Sequence, residues 1–258
     1  MSASLEISRT ERVTTLTINR PALRNALDEA VSIALREALE ACEDDGTRCI
    51  VLTGAGGHFS SGADIKSAMA NGLSLDKIQH TLTAVYAPAL KAIRASSWPV
   101  IAAVDGYAAG IGCDFALTCD LRLVTERARF AELFARVGLI PDGGGTYLLP
   151  RLIGLGRAME LMFTGRDVLA DEALQIGLAN RVFSADTFAA DIQAYAAMIA
   201  SQSPHALKRG KTAMLAALES TYTASIEREA VYQQEIFAQP DGMEGFQAFL
   251  EKRSPVWK

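Results

Sequence analysis

The chain has 258 residues and a mass of 27.6 kDa; half of its residues are hydrophobic and 21% are charged, which is typical of a folded protein. A chain of this size buries roughly three quarters of the surface that its unfolded form would expose, so we expect one large domain with a smaller appendage and exclude extensive disorder. With 25 basic and 30 acidic residues and a net charge of -5, the sequence does not favour a nucleic-acid surface.

Hydropathy and cysteine patterns exclude further classes of protein. Uncharged stretches such as residues 95–104 are shorter than the ~18 apolar residues needed to cross a bilayer, so no membrane association is predicted. The first residues have no basic flank and no apolar run, and we expect a cytoplasmic protein. The cysteines form no C-x-x-C pair and the histidines have no ligand spacing, so neither a disulfide framework nor a metal site is predicted.

Strands and helices alternate along the first part of the chain. Residues 13–18 alternate apolar and β-branched polar side chains, which predicts a strand, and residues 28–41 place their apolar positions on one helical face. Residues 48–53 predict a buried strand. The same order repeats in a strand, a helix and a strand, predicted at 98–104, 110–118 and 121–124. This alternation indicates an α/β fold.

Two other parts of the chain have a different pattern. Residues 66–97 combine helical periodicity with small and polar interruptions, and we interpret them as a mobile cover followed by a helix. After about Ala190 no strand is predicted, and the pattern favours helices at 194–218, 224–238 and 243–252. We therefore expect a catalytic core at 1–193 and a helical C-terminal subdomain at 194–258.

Three glycine-containing segments, at 54–66, 105–114 and 138–146, lie next to strand-like runs. Glycine at such places permits positive φ and close approach of a ligand, although any single cluster could be a tight turn. The third glycine of a dinucleotide fingerprint is missing, since Phe115 and Met159 stand there. No nucleotide P-loop and no serine-hydrolase elbow is present in the sequence, so NAD binding and serine hydrolysis are disfavoured.

These segments can present free backbone N–H groups. The N–H of Ile111 would lie in the first turn of the predicted helix, where donors have no intrahelical partner and the helix dipole is positive. A second donor at Ala63 would complete an oxyanion hole. Removing one such donor typically costs on the order of 3 kcal/mol of transition-state stabilisation.

At these residues the sequence resembles the crotonase family of enoyl-CoA hydratases and isomerases. The resemblance covers nearly the whole chain and is strongest in five motifs, at 19–21 (NRP), 61–66 (SGADIK), 99–107 (PVIAAVDGY), 138–146 (GLIPDGGGT) and 244–253 (EGFQAFLEKR). It implies an α/β spiral of repeated β-β-α turns, a helical C-terminal region used in assembly, and a homotrimer or a dimer of trimers. It also implies an acyl-CoA thioester substrate, with no cofactor because CoA is part of the substrate.

The resemblance also implies roles for individual residues. The thioester oxygen would be held by the backbone N–H groups of Ala63 and Ile111; isoleucine replaces the family's usual glycine, which would narrow the acyl pocket. The remaining substrate and CoA contacts are implied at Leu23, Arg24, Ala26, Asp64, Ile65, Tyr107 and Gly110. Arg24 could meet a CoA phosphate or could be a solvated surface residue.

The hydratases of the family use two glutamates, one to hold water and one to deliver a proton to carbon. Here those positions carry Asp114 and Phe134. Phenylalanine transfers no proton, so it is expected only as a wall of the acyl pocket. Glu132 is close in sequence, but a displacement of two residues is expected to change its direction, and we do not substitute it for the missing glutamate.

A different carboxylate, Asp142, lies eight residues beyond Phe134. Dienoyl-CoA isomerases and the ring-epoxide isomerases of phenylacetate degradation resemble this sequence in having an aspartate there. Asp142 would then abstract a proton activated by the thioester and return it to another carbon. Without this resemblance, Asp142 would be interpreted as a turn residue, because Pro-Asp-Gly is a common turn sequence. Asp114, three residues after Ile111, is expected to be an auxiliary acid or to complement the helix dipole.

Three functions remain open from the sequence. The first is a cofactor-independent acyl-CoA isomerase with Asp142 as base. The second is an enoyl-CoA hydratase that works through Asp114. The third is a CoA-ester binding protein without catalysis, in which the catalytic carboxylates have changed.

Overall fold

The computed structural model of the chain describes residues 4–70, 72 and 74–258. The strands are β1 (Leu5–Thr10), β2 (Val13–Ile18), β3 (Cys49–Gly54), β4 (Val100–Val104), β5 (Tyr107–Ala109), β6 (Leu121–Thr125), β7 (Arg129–Ala131), β8 (Asp167–Leu169) and β9 (Arg181–Phe183). The helices are α1 (Glu29–Ala41), α2 (Ile65–Ala70), α3 (Leu75–His80), α4 (Ala87–Ala95), α5 (Ile111–Thr118), α6 (Gly145–Ile153), α7 (Leu155–Thr164), α8 (Ala170–Gln175), α9 (Phe188–Ala200), α10 (Pro204–Ala217), α11 (Tyr222–Phe237) and α12 (Glu244–Glu251).

The larger sheet has the strand order β1-β2-β3-β4-β6-β9. Only β1 runs antiparallel to its neighbour, while β2, β3, β4, β6 and β9 pair in parallel. Helical connections between parallel strands follow from this arrangement, because such strands need a crossover. The strands and helices predicted between residues 13 and 54 and between 98 and 125 are confirmed, with ends that differ by one or two residues.

A second, smaller sheet has the order β5-β7-β8, and each of its strands is three residues long. Sequence periodicity did not predict these strands, because three residues are too few to show alternation. An isolated bridge between Ser60 and Ala108 joins the loop after β3 to β5, and another joins Leu27 to Ala63. The small sheet therefore connects three loops that follow strands of the larger one.

The apolar core lies on both sides of the larger sheet. On one side, α1, α4 and α5 pack on the sheet through fully buried side chains such as Leu35, Ile93 and Phe115. On the other side, Ile192 and Ala196 of α9 pack against apolar residues of β3, β4 and β6. Burial on both faces explains why the central strands are nearly continuous apolar runs.

The single helix predicted over 194–218 is wrong: α9 ends at Ala200 and α10 begins at Pro204. Proline is favourable as the first residue of a helix, and the Ser203 side chain accepts a hydrogen bond from the Ala206 N–H (3.4 Å), so this sequence starts a new helix. The expected boundary after residue 193 lies inside α9, which packs on the sheet. The division into a core and a helical subdomain stays a prediction.

The segment predicted as a cover contains α2 and α3, then a π-helical turn at Thr81–Tyr86, then α4. Its positions 71 and 73 lie outside the described residues. Tyr86 is buried in the π-helical turn, and its hydroxyl donates to the Leu27 carbonyl (3.1 Å). Among the described residues, we find no helix with the length and apolar character that spanning a membrane requires.

Asn25 ties the turn after β2 to the loop after β3. It is fully buried and has a φ of 57°. Its side-chain amide donates to the carbonyls of Ala55 (2.8 Å) and His58 (2.6 Å), and its side-chain oxygen accepts from the Arg20 N–H (3.0 Å). The positive φ favours asparagine over most residues because asparagine tolerates the left-handed region.

We predict that Asn25→Ala lowers the free energy of unfolding by about 3 kcal/mol, because buried polar groups lose their partners and alanine is strained at positive φ. The measurement is urea unfolding followed by circular dichroism. Glu11→Ala is the matched control, since Glu11 has a similar φ of 55° with an exposed side chain. Equal losses in the two variants would show that the hydrogen bonds of Asn25 contribute nothing.

Candidate active site

The site is built where the loop after β3 meets the end of β5. The Ser60 N–H donates to the Tyr107 carbonyl (2.9 Å), and the Ala109 N–H donates to the Ser60 carbonyl (2.9 Å). The Ser60 hydroxyl is buried and donates to the Asn25 carbonyl (2.8 Å). These bonds fix residues 60–63 beside the start of α5.

Gly62 permits the close contact between the two segments. Its φ is 95°, and a Cβ at this position would lie 2.8 Å from the Ala109 carbonyl oxygen and 3.7 Å from the Ile111 nitrogen. A side chain would push the segments apart, and most residues do not adopt this φ. The backbones that carry the Ala63 and Ile111 N–H groups are therefore held next to each other.

In the part of the chain that the structure describes, neither of these two N–H groups donates a hydrogen bond to the protein. Ile111 is the first residue of α5, and Gly110 before it has a φ of 52°, so the Ile111 N–H has no intrahelical acceptor. The Ala63 N–H is left out of the bridge to Leu27, in which Leu27 bonds to Gly62 and Asp64. Free amides at a helix start form a site for a negatively charged oxygen.

Asp64 was expected to contact CoA, but its carboxylate binds other groups of the protein. One carboxylate oxygen accepts from the Ser67 N–H (3.0 Å) at the start of α2, and the other pairs with Arg20 (2.8 Å). The backbone N–H of Ser67 and then the Arg20 guanidinium lower the pKa of Asp64. Arg20 also pairs with Asp28 (3.1 Å), so this ion-pair group fixes the turn that precedes α1.

The other residues expected to contact CoA lie around this group. Leu23 and Arg24 are exposed in the turn after β2, Ile65 is 61% exposed at the start of α2, and Ala26 is buried. Arg24 has a φ of 49°, and its carbonyl accepts from the Ser61 N–H (2.9 Å). The structure therefore brings together the two segments at 20–28 and 61–66 that the sequence associated with CoA.

Tyr107 lies at the beginning of β5, whereas the amide of Ile111 follows the end of this strand. Its hydroxyl donates to the Asp167 carboxylate (3.3 Å), and its ring centroid lies 6.1 Å from that of His58 and 5.8 Å from the Arg129 guanidinium carbon. These contacts occupy its polar group. Its assignment to substrate binding stays a prediction.

Asp142 is exposed on the loop between the 3₁₀ helix at Leu133–Val137 and α6. Partial desolvation nevertheless raises the pKa of its carboxyl group. Its charge acts on Tyr86, whose pKa is raised to about 12 by burial and then by Asp142. The Tyr86 hydroxyl bonds to Leu27, and Leu27 pairs with Ala63, so the charge of Asp142 acts on a residue that is two contacts away from one of the two free amides.

Asp114 is buried behind the Asp142 loop, with 0% of its surface exposed. Its Oδ2 accepts from the Gly143 N–H (3.0 Å), and a Cβ on Gly143 would lie 2.6 Å from the Asp114 Cβ. The glycines of this loop therefore allow close approach of an internal carboxylate to the backbone. Burial, and then the charge of Glu132, raise the pKa of Asp114 well above its usual value.

Glu132 is a site residue that sequence analysis missed. It follows β7, is 4% exposed, and points toward Asp114 and Gly145, contrary to the expectation that its direction excludes it from the site. Burial raises the pKa of Glu132 to about 7. The neighbouring Cys113 thiol acts in the opposite direction and limits this rise. A glutamate between apolar residues, in the sequence Phe-Ala-Glu-Leu-Phe at 130–134, was the available signal for a buried acid.

Phe134 is buried at the start of the 3₁₀ helix and brings no proton-transferring group to the site. The apolar residues after it are exposed: Val137 at 63%, Leu139 at 58% and Ile140 at 70%. An exposed apolar strip next to Asp142 can contact the acyl group of a ligand or another apolar surface.

We predict that the free energy of unfolding falls as the pH rises from about 4.5 to about 7. The folded chain holds the Glu132 proton up to its raised pKa, whereas the unfolded chain loses it near the usual value of 4.5, so the folded state binds more protons in this range. Urea unfolding at pH 5 and pH 7.5 measures the change. In Glu132→Gln the fall should be smaller; an equal fall in both proteins would contradict the raised pKa.

The chain matches known proteins over nearly its whole length. The family model described as enoyl-CoA hydratase/isomerase matches residues 8–258. The chain is 38% identical over 245 residues to a probable enoyl-CoA hydratase of Rhodobacter capsulatus, covering 95% of this chain and 94% of that protein. It is 36% identical over 252 residues to 1,2-epoxyphenylacetyl-CoA isomerase of Escherichia coli, covering 94% of each.

A solved structure of enoyl-CoA hydratase from Bacillus anthracis matches the fold with a TM-score of 0.95 and 32% identity, covering 99% of each chain. The crotonase-like α/β fold expected from the sequence is thereby confirmed. The names of the relatives include both hydratases and an isomerase. The comparisons alone therefore do not separate the two reactions.

Proposed function

Because this chain belongs to the enoyl-CoA hydratase/isomerase family, we propose that it is a cofactor-independent isomerase of an acyl-CoA thioester. Its substrate would be an enoyl-CoA or an aryl-epoxide CoA ester. The observation that carries the proposal is the pair of free amides at Ala63 and Ile111, together with the exposed carboxylate of Asp142 on the loop before α6. Phe134 supports isomerisation because it replaces the second glutamate that water addition uses.

The reaction would start with the thioester oxygen accepting hydrogen bonds from both amides. Asp142 would remove a proton from a carbon activated by the thioester, and the electron pair would move onto the carbonyl oxygen as an enolate. The fixed amides stabilise this charge more than that of the ground state, which lowers the barrier. Asp142 would then return the same proton to a different carbon, so the product is an isomer of the substrate.

The raised pKa of Asp142 supports this role. A carboxylate of ordinary acidity is a weak base near neutral pH, and partial desolvation increases its affinity for the proton it removes. Its exposure on the loop leaves it accessible to a substrate. Asp64 is a poorer candidate, because Arg20 and the start of α2 hold its carboxylate.

Enoyl-CoA hydration is the second candidate. It is favoured by one observation, the presence of two neighbouring carboxyl groups at Asp114 and Glu132. Adding water requires a water molecule between such groups and the substrate carbon. Since these residues are 0% and 4% exposed behind the Asp142 loop, they would reach substrate only after that loop moves.

We further propose that CoA lies along the segments 20–28 and 61–66, where Arg24 is exposed and free to meet a phosphate. The chain is proposed to assemble as a homotrimer or a dimer of trimers through its C-terminal helices. Exposed apolar residues there, such as Phe249 at 81% and Leu250 at 78%, support burial against a second copy.

We predict that Asp142→Asn lowers kcat for conversion of 3-hexenoyl-CoA to its 2-enoyl isomer by about 100-fold or more, because the amide removes no proton. KM should change little, since the amide pair and the CoA segments are intact. The 2-enoyl product is measured by its ultraviolet absorbance. An aryl-epoxide CoA ester forms the second arm of the substrate panel.

Asp171→Asn, an exposed acid at the start of α8, is the matched control and should retain full activity. Equal turnover by wild type and Asp142→Asn would overturn the role of Asp142. Hydration of crotonyl-CoA that depends on Asp114 but not on Asp142 would select the second candidate. Tight CoA-ester binding without turnover across the panel would indicate a binding protein.

A further inference from the structure

Asp114 and Glu132 form a buried carboxyl pair that the proposed proton transfer does not use. A Cβ placed on Gly145 would lie 2.5 Å from Asp114 Oδ1 and 3.5 Å from Glu132 Oε2. These two oxygens therefore lie within roughly 6 Å of each other, where like charges repel strongly. Asp114 lies in the first turn of α5, and Glu132 directly follows β7.

Among the described residues, no cation is one of the groups that act most strongly on the pair. In the described part of the chain, Asp114 Oδ1 and both Glu132 oxygens lack a strong hydrogen-bond donor, and the neighbouring Cys113 thiol, a weak donor, acts on Glu132. The charges that act on Asp114 are those of Glu132 and Asp142, which are both negative, and the other polar neighbour is the Cys113 thiol. Two ionised carboxylates in this environment would be strongly disfavoured, whereas one proton between them removes the repulsion and supplies a donor.

The pair also holds the loop that carries Asp142. Asp114 Oδ2 accepts from the Gly143 N–H (3.0 Å), and the Gly145 N–H acts on the same carboxylate. Asp114 thus contacts the backbone of the Asp142 loop at two positions, Gly143 and Gly145. Gly145, which packs on both acids, begins α6 and so connects the pair to a fixed element.

We propose that Asp114 and Glu132 hold one proton between them and that the singly protonated pair positions Asp142 against the substrate. This inference rests on the proposed role of Asp142 as the base. Glu132 donates the shared proton toward Asp114 Oδ1, directly or through one water, which leaves Oδ2 to accept from Gly143. The shared proton is not transferred to substrate, so Glu132 and Asp114 are positioning residues.

Two variants of similar volume separate hydrogen bonding from packing. Glu132→Gln keeps a donor for Asp114, and we expect kcat for 3-hexenoyl-CoA to remain within about 3-fold of wild type. Glu132→Met fills the space without a donor, and we expect kcat to fall by about 30-fold with KM within about 2-fold, because a displaced base slows the chemical step. Equal kcat values for the two variants would overturn the proposal.

A second measurement does not depend on the stability of the Glu132 variants. Gly145→Ala leaves all three acids in place but sets a methyl group 2.5 Å from Asp114 Oδ1, and it should lower kcat by a similar factor. Gly156→Ala is the matched control: nothing lies within 4 Å of its added Cβ, and its kcat should not change. Unchanged kcat in Gly145→Ala would contradict positioning through this contact.

A double-mutant cycle combines Glu132→Met with Asp142→Asn and follows kcat for 3-hexenoyl-CoA and exchange of its α-protons in D₂O. If Glu132 acts through Asp142, its replacement has no further effect once Asp142 is asparagine. If Asp142→Asn alone costs nothing, the proposed function fails. If Asp142→Asn is costly but Glu132→Met reduces both backgrounds equally, the proposed function stands and the positioning role is overturned.

Discussion

The site depends on two backbone N–H groups that the fold leaves without an acceptor. Ile111 is buried, and an unsatisfied amide shielded from water costs about 1–3 kcal/mol, whereas Ala63 is exposed. Here the contact of Gly62 with Ala109 and the first turn of α5 keep the Ala63 and Ile111 donors adjacent. That arrangement is stabilised by the hydrogen bonds of Ser60 and Asn25, which lie outside the site itself.

Three aspartates lie on or beside these loops. Their surroundings differ, and so their carboxyl groups differ in exposure and in pKa. Asp64 is fixed by Arg20 and by the start of α2, so it is held ionised. Asp142 is accessible, and partial desolvation raises its pKa, which suits a base. Asp114 lies behind the loop with Glu132, where burial raises the pKa of both carboxyl groups. Gly143 and Gly145 make room for the internal Asp114 carboxylate, which the number of glycines alone does not indicate.

The sequence was informative where periodicity or motif spacing extends over many residues. The strands β2, β3, β4 and β6, the helix α1 and the helix that begins at Ile111 were predicted from their apolar runs and periodicity, whereas β1 was not predicted. The three-residue strands were not predictable in this way, and the break before Pro204 required the capping role of Ser203 to be recognised. Glu132 was missed because the direction of a side chain just after a strand depends on the following turn, here a 3₁₀ helix, and not on residue spacing.

The central claim is that the Ala63 and Ile111 amides bind the oxygen of a CoA thioester. A crystal structure with a bound, non-reactive acyl-CoA analogue tests it most directly. We expect the thioester oxygen about 2.7–3.1 Å from both amide nitrogens, with the Asp142 carboxylate facing the carbons next to the thioester. A thioester oxygen that contacts neither nitrogen, or that points to bulk solvent, would contradict the account.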